Sequence, residues 1–375
     1  MIYCKLCLQP DTRPNTLFND DGFCPACQYF EESKKVDWEE RYEILQTIIQ
    51  GINRKPNQHF DCIIGVSGGK DSTRQATWVR DNLGLKPLLV SLIHPPQQVS
   101  QTGVDNISNL IELGFDLVLS SPAPETWRQL MRESFFKFSN WARSSELALF
   151  SSVPQIAIKY KIPLIFWGEN TAYVAGDLKT MGQNGYDGNN VRHSNTLSSG
   201  HDWMLKAGFD YKKVLPYIYP FEEEFRSANL QIVFLGWFLG DWNLLENGLY
   251  SSTQGLLVRD ARPENTGDLY GISNLDEDWH NMNQMIKYLK FGFGKVTEYV
   301  NDELRIGLID RSTAVTLVEN YDGKCSDEYI ESFCDYINIT KQQFWNHVHS
   351  ATNKDLFKID SAGIITPKFR VGVGI

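Results

Sequence analysis

One short segment carries the residue types that bind phosphate. An apolar run at 62–66 leads into Ser67-Gly68-Gly69-Lys70-Asp71-Ser72, and a helix-like stretch continues over 72–82. A strand that enters a glycine turn and then a helix directs backbone N–H groups and the positive end of the helix at one point, which favours an anion. Glycine allows the main chain to come close, Lys70 adds a positive charge, and Asp71 can share a divalent cation with a bound phosphate.

This segment differs from the Walker A loop, which has four residues between its first glycine and Gly-Lys, followed by Ser or Thr. Here three residues separate Gly65 from Gly69-Lys70, and Asp71 comes next. The segment instead resembles the pyrophosphate-binding loop of the ATP pyrophosphatases, the PP-loop superfamily. The resemblance implies an adenine nucleotide alpha hydrolase-like fold and cleavage of ATP between its α- and β-phosphates. The alternative is a plain glycine turn with a solvated lysine.

The segments around the loop alternate between short apolar runs and helical patterns. Strands are predicted at 62–66, 88–93, 117–119 and 164–167, and helices at 72–82, 104–113 and, as a pair, across 125–161. This alternation predicts an α/β fold in which helices cover both faces of a parallel sheet. Ligands of such sheets bind at the carboxyl ends of the strands.

The candidate ATP-binding residues lie at three of these strand ends. They are Val66, Ser67, Gly68, Gly69, Lys70, Asp71, Ser72, Ser91, His94 and Gly168. His94 could instead be an ordinary strand-end histidine.

Four cysteines near the start of the chain form two closely spaced pairs, Cys4-x-x-Cys7 and Cys24-x-x-Cys27. In a chain expected to be cytosolic, two such pairs predict a tetrahedral thiolate site for Zn²⁺. A metal with four protein ligands has no open position for water, so the predicted role is structural. An iron–sulfur cluster is the alternative, and the reducing compartment disfavours two disulfides.

Composition and charge limit the function classes. The formal net charge is −10, which argues against a large nucleic-acid footprint because that would need a basic surface. The longest apolar runs, such as 232–239, are far shorter than a membrane span. Residues 1–10 lack the apolar core of a signal peptide, so we expect a cytoplasmic protein without a membrane anchor.

The pattern along the chain predicts four regions. They are a zinc knuckle at 1–35, a helix and linker at 36–58, a PP-loop domain at 59–220, and a mainly helical C-terminal domain at 221–375. Within the last region, helices are predicted at about 275–289 and then at 296–304, 312–320, 327–337 and 341–347. Asp276 and Asp278 fall at the start of the first of these helices, where they could complement its dipole.

Further motifs accompany the loop in a fixed order. The double Cys-x-x-Cys precedes it, Gly168-Glu169-Asn170 ends the last predicted strand, Leu-Lys-Phe-Gly-Phe-Gly-Lys occupies 289–295, and Phe-Trp-Asn occupies 344–346. Together they resemble the N-acetyl sugar amidotransferase family, a PP-loop branch found in bacterial surface-polysaccharide and flagellar-glycan pathways. The resemblance covers nearly the whole chain, from Cys4 to about Val348.

The resemblance implies an ATP-dependent reaction, assisted by Mg²⁺, that converts the acetamido group of a sugar to acetamidino. Its substrate would be a nucleotide-linked N-acetyl sugar, and a separate glutaminase subunit would supply ammonia. The catalytic candidates are Lys70, Asp71, Glu169 and Asn170, of which the last two would orient the amide or accept a proton. Glu169 could instead hydrogen-bond the helix that follows it. The alternative function is a tRNA-thiolating enzyme of the same superfamily.

Overall fold

A parallel five-stranded sheet forms the centre of the molecule. The computed structural model describes residues 1–52, 58–168, 185–194, 196–260 and 262–375. The strands are β1 Cys62–Gly65, β2 Pro87–Leu92, β3 Asp116–Ser120, β4 Leu164–Trp167 and β5 Gln231–Phe234. Their order is β3-β2-β1-β4-β5, and every neighbouring pair is parallel. The chain proceeds in opposite directions from β1 and β4, so the switch point at which such sheets bind ligands lies between these two strands.

Both faces of the sheet are buried because successive strand residues point to opposite sides. Ile63 and Ile165 face one hydrophobic core, whereas Ile64 and Phe166 face the other, and all four are fully buried. The strands therefore consist of almost continuous apolar residues, which is typical of a doubly covered parallel sheet.

Helices form the covering layers and most of the C-terminal region. The N-terminal and sheet-covering helices are α1 Pro25–Ser33, α2 Trp38–Gly51, α3 Lys70–Leu83, α4 Gln101–Glu112, α5 Pro124–Phe138, α6 Ala142–Tyr160, α7 Asp202–Lys206, α8 Tyr211–Val214, α9 Glu222–Ala228 and α10 Leu244–Thr253. The later helices are α11 Pro263–Thr266, α12 His280–Phe291, α13 Lys295–Ile306, α14 Arg311–Tyr321, α15 Asp327–Ile337 and α16 Lys341–Ala351. A hairpin of β6 Phe357–Ile359 and β7 Ile365–Pro367 follows them.

The structure changes two boundaries expected from the sequence. β5 pairs with β4, so the parallel sheet extends beyond residue 220, where the PP-loop domain was expected to end. Helix α12 begins at His280 rather than near residue 275, because the preceding residues contact the strand ends. Val99 and Glu277 form an antiparallel bridge there, and the N–H of Ser100 donates to the carbonyl of Asp276. Asp276 and Asp278 therefore lie ahead of the helix.

The N-terminal knuckle packs against the helical region. The N–H of Leu8 donates to Oδ1 of Asn301 on α13 over 2.7 Å, and the Arg311 guanidinium donates to the carbonyl oxygen of Cys7 over 2.9 Å. Through these contacts the first residues of the chain are held against α13 and α14. Within the described ranges, no helix is long and apolar enough to cross a membrane.

Candidate active site and four-cysteine site

The loop after β1 has a backbone that depends on glycine. Gly68 has φ +74, a conformation that L side chains rarely adopt. A Cβ at Gly68 would also lie 3.2 Å from the carbonyl oxygen of Gly103 and 3.0 Å from Cβ of Asn106. Gly69 is the N-cap of α3, and no side chain of the described residues caps this helix start. The first turn of α3 therefore directs uncapped N–H groups at the loop, as a phosphate site requires.

Lys70 and Asp71 are held by a chain of polar contacts. The Lys70 ammonium lies 2.7 Å from Oδ2 of Asp71, and the Asn247 amide donates to Oδ1 of Asp71 over 2.6 Å. Arg74 in turn donates to Oδ1 of Asn247 over 2.7 Å and forms an ion pair with Asp241 at 2.6 Å. Burial alone would raise the pKa of Asp71, but the charge of Lys70 and the hydrogen bonds from Lys70 and Asn247 lower it. Asp71 is therefore an ionised, oriented carboxylate at the loop.

A cavity of 410 Å³ opens over the loop. Of the residues proposed from the sequence, it is lined by Val66, Ser67, Gly69, Lys70, Asp71, Ser72 and Gly168. Gly68 lies in the same loop and packs against α4. The structure thus brings most of the ATP-binding candidates to one cavity at the carboxyl end of β1.

The remaining predicted residues have different surroundings. Ser91 is buried within β2, with 1% of its surface exposed. Nε2 of His94 lies 3.0 Å from Oδ2 of Asp276. Asp276, rather than His94, lines the cavity. Burial would lower the pKa of His94, but the hydrogen bond and charge of Asp276 raise it. Glu169 and Asn170 lie outside the residues that the structure describes.

One face of α13 forms a wall of the cavity that the sequence analysis did not assign. Lys295, Glu298, Asp302 and Arg305 are spaced three to four residues apart, which places them on the same side of the helix, and all of them line the cavity. Arg305 forms a buried ion pair with Asp302 at 3.0 Å. Lys295 belongs to the motif at 289–295, and the sequence predicted only a helix at 296–304. Charged residues at a spacing of three to four could have predicted that this side of the helix faces a polar site.

Arg13 reaches the same cavity from the N-terminal knuckle. Its guanidinium donates to Oε1 of Gln9 over 3.0 Å and lies 3.7 Å from a carboxylate oxygen of Glu298. The contact between Leu8 and Asn301 fixes the chain just before this segment. The knuckle therefore contributes a cationic side chain to the site as well as packing against the fold.

The four predicted metal ligands come together in the structure. The sulfur atoms of Cys4, Cys7, Cys24 and Cys27 lie within 4.8 Å of one another, and all four residues are buried. Cys7 and Cys24 have their sulfurs 3.7 Å apart, and the N–H of Cys24 donates to the Cys4 sulfur over 3.2 Å. The sulfurs of a tetrahedral site with metal–sulfur bonds of about 2.3 Å lie about 3.8 Å apart. The donor set therefore fits one tetrahedral ion. A 4Fe–4S cluster spreads its thiolates over four iron atoms and needs a wider site.

A comparison with protein families finds a match in the C-terminal region. Residues 265–370 match the family model described as LPS biosynthesis protein WbpG-like, C-terminal domain. The C-terminal region is therefore similar to this family over those residues. The matched region contains α13, so it supplies residues that line the same cavity as the glycine loop. The match supports the resemblance to the N-acetyl sugar amidotransferase family.

Solved structures are similar to the chain at low identity. NMN synthetase from Francisella tularensis is 14% identical over 89% of this chain and 100% of that chain, with a TM-score of 0.33. The U34-tRNA thiolase NcsA from Methanococcus maripaludis, with its 4Fe–4S cluster, is 11% identical over 90% of this chain and 95% of that chain, with a TM-score of 0.31. No curated protein matches the chain. The assignment of residues therefore depends on the geometry of the site.

Proposed function

We propose that this protein is an ATP-dependent amidotransferase of bacterial glycan biosynthesis, which converts a sugar acetamido group to acetamidino. The supporting observation is that the glycine loop with Lys70 and Asp71 lines the same cavity as residues of the WbpG-like region. A loop suited to phosphate and a domain related to LPS biosynthesis thereby share one site.

The proposed reaction explains why an amide-modifying enzyme needs this loop. An amide carbon is a poor electrophile, and its oxygen is a poor leaving group. In the first step, the amide oxygen bonds to the α-phosphorus of ATP, and the bond from that phosphorus to the bridging oxygen of the β-phosphate breaks. In the second step, ammonia adds to the imidate carbon and AMP leaves with the former amide oxygen, so that an amidine remains.

The residues at the loop have roles in the first step, during which charge accumulates on the departing pyrophosphate. The backbone N–H groups at Gly68 and Gly69 and the ammonium of Lys70 would stabilise that charge, and they act in a partly enclosed site where such interactions are strong. A Mg²⁺ bound with ATP would take a ligand from Asp71 and neutralise phosphate charge. Asn247 holds the Asp71 carboxylate in place for this role.

We further propose that the four-cysteine site holds structural Zn²⁺. The buried sulfurs fit a closed tetrahedral site, and the knuckle that they shape carries Arg13 to the cavity. Ammonia would come from a partner glutaminase, because the sequence around Cys62, Cys325 and Cys334 has no glycine-framed turn of the kind that holds a nucleophile. Burial also raises the pKa of the Cys325 thiol to about 12, which disfavours a reactive thiolate.

The proposal is tested by incubating the zinc-loaded protein with ATP, ammonium chloride and a panel of nucleotide-linked N-acetyl sugars. We expect AMP and pyrophosphate to form only with the correct sugar, and the product to have NH in place of one oxygen by mass spectrometry. Lys70→Ala should abolish both products, whereas Lys86→Ala, at an exposed lysine near the start of β2, should not. Formation of ADP, or pyrophosphate release that tRNA but no sugar stimulates, would contradict the proposal.

A further inference from the structure

The charges that line the cavity are unevenly paired. Asp71 has Lys70 at 2.7 Å, Asp302 has Arg305 at 3.0 Å, and Asp276 has His94 at 3.0 Å. Each of these carboxylates therefore has a basic partner of its own. The fourth lining carboxylate, Glu298, is shared among several cations.

Three cations surround Glu298. Lys287 makes the close contact, with its ammonium 2.7 Å from Oε1, while Arg13 and Lys295 lie 3.7 and 3.6 Å from the carboxylate. Burial alone would raise the pKa of Glu298, but the three positive charges lower it well below its usual range. In these direct contacts one carboxylate is shared by three cations, and Lys287, which makes the closest contact, already neutralises it.

Two of these three cations face the cavity. Arg13 and Lys295 both line the cavity, whereas Lys287 lies behind Glu298 and neutralises it. Among the residues that the structure describes, the Lys295 ammonium has no hydrogen-bond acceptor nearer than this carboxylate at 3.6 Å. Aromatic rings help to place both groups, since Arg13 lies over Phe293 and Lys295 over Tyr299.

The start of α13 does not account for this arrangement. Asp322 already accepts hydrogen bonds from the N–H groups of Gly294 and Val296 and from the hydroxyl of Thr297, at 2.6–3.0 Å. The N–H groups of Gly294 and Val296 are therefore already paired within the protein. The Lys295 side chain and Arg13, contributed by two distant parts of the chain, remain as the groups available to a ligand.

We propose that Arg13 and Lys295 form a second phosphate-binding subsite, which holds the phosphate of the acceptor and so selects a sugar that is still linked to phosphate. Two cations match a doubly charged phosphate better than a singly charged carboxylate. The glycine loop with Lys70, which lines the same cavity, then remains for the phosphates of ATP. This inference rests on the proposed function, because it assumes that a sugar shares the cavity with ATP.

The test measures binding without turnover, by isothermal titration calorimetry. A panel of N-acetylhexosamines is titrated, each as the free sugar and as its 1-phosphate, and pyrophosphate is titrated separately. In the wild-type protein we expect at least one 1-phosphate to bind about tenfold or more tightly than its free sugar. Arg13→Gln and Lys295→Gln should each remove most of this difference, whereas Lys295→Arg and the exposed control Lys34→Gln should retain it.

Titration with pyrophosphate distinguishes a subsite for the phosphate of the sugar from one for the phosphates of ATP. We expect Lys70→Gln to weaken pyrophosphate binding and Lys295→Gln to leave it near the wild-type value. If Lys295→Gln weakens pyrophosphate but not the sugar phosphate, the subsite serves ATP and the proposal is overturned. Equal binding of sugar and sugar phosphate to the wild type also overturns it. AMP formation is assayed separately with ammonium, so failure of the proposed reaction is recognised independently of these affinities.

Discussion

The contact between Asn247 and Asp71 offers a sensitive test of how the site is organised. Asn247 is 1% exposed, donates to Asp71 over 2.6 Å and accepts from Arg74 over 2.7 Å. Asn247→Ala removes both hydrogen bonds and, within the described part of the chain, leaves Lys70 as the partner of the Asp71 carboxylate. We expect both ATP turnover and stability to fall.

The size of both effects can be worked out from the hydrogen bonds that Asn247 makes with Asp71 and Arg74. Hydrogen bonds to charged groups contribute about 1.5–3 kcal/mol each, but Arg74 keeps its contacts with Asp241, so we expect unfolding to become easier by about 2–4 kcal/mol. Loss of one such bond to Asp71 in the transition state corresponds to a decrease of about 10- to 100-fold in kcat/KM for ATP. Because the change weakens the orientation of Asp71, the Mg²⁺ concentration for half-maximal activity should also rise.

Urea denaturation and pyrophosphate release at varied Mg²⁺ measure these effects. Leu249→Ala is the matched control, since Leu249 lies on the same helix but is 66% exposed. It should change neither the Mg²⁺ dependence nor kcat/KM. If Asn247→Ala keeps the wild-type Mg²⁺ dependence and turnover while losing stability, Asn247 is only a packing residue and the reasoning about Asp71 is refuted.

Three further predictions concern the four-cysteine site, Glu298 with its surrounding cations, and the glycine loop. Cys24→Ser should lower both the zinc content and Tm, because structural zinc contributes directly to folding; full metal occupancy in elemental analysis would contradict a four-thiolate site. Glu298 has a lowered pKa, so its stabilisation is complete above the ordinary glutamate pKa of about 4.3 and is lost as the pH falls toward the folded value. Glu298→Gln should therefore have a lower free energy of unfolding than the wild type at pH 7, and this difference should shrink as the pH falls. Urea denaturation at several pH values measures it. A difference that does not change with pH would contradict the lowered pKa of Glu298. Gly68→Ala should abolish pyrophosphate release, whereas Gly84→Ala, which also has positive φ but lies in open space, should cost only stability.

The sequence predicted the part of the site that is local in the chain. The apolar run, the glycines and the helix pattern that surround Lys70 lie within about twenty residues, and the observed β1 and α3 agree with them. The predicted strand at 164–167 coincides with β4, and the predicted helix at 327–337 coincides with α15. Such elements depend mainly on patterns that their own residues contain.

Contacts between distant segments could not be predicted in this way. Arg13 and Glu298 meet because the first residues of the chain pack against α13 and α14, as in the hydrogen bond between Leu8 and Asn301, nearly three hundred residues away. β5 was missed because its apolar residues continue directly into the turn at Leu235–Trp237, so that no local signal separates strand from turn. The start of α12 was placed too early because periodicity does not show that Asp276 contacts His94.

The central claim is that the amide oxygen of the sugar attacks the α-phosphorus of ATP. An acceptor whose acetamido oxygen is ¹⁸O, incubated with ATP and ammonium chloride, tests this step most directly by mass spectrometry of the AMP. The account predicts one ¹⁸O atom in the phosphate of AMP for each amidine formed, with unlabelled pyrophosphate. Amidine formation with unlabelled AMP, or with the label in inorganic phosphate, would contradict it.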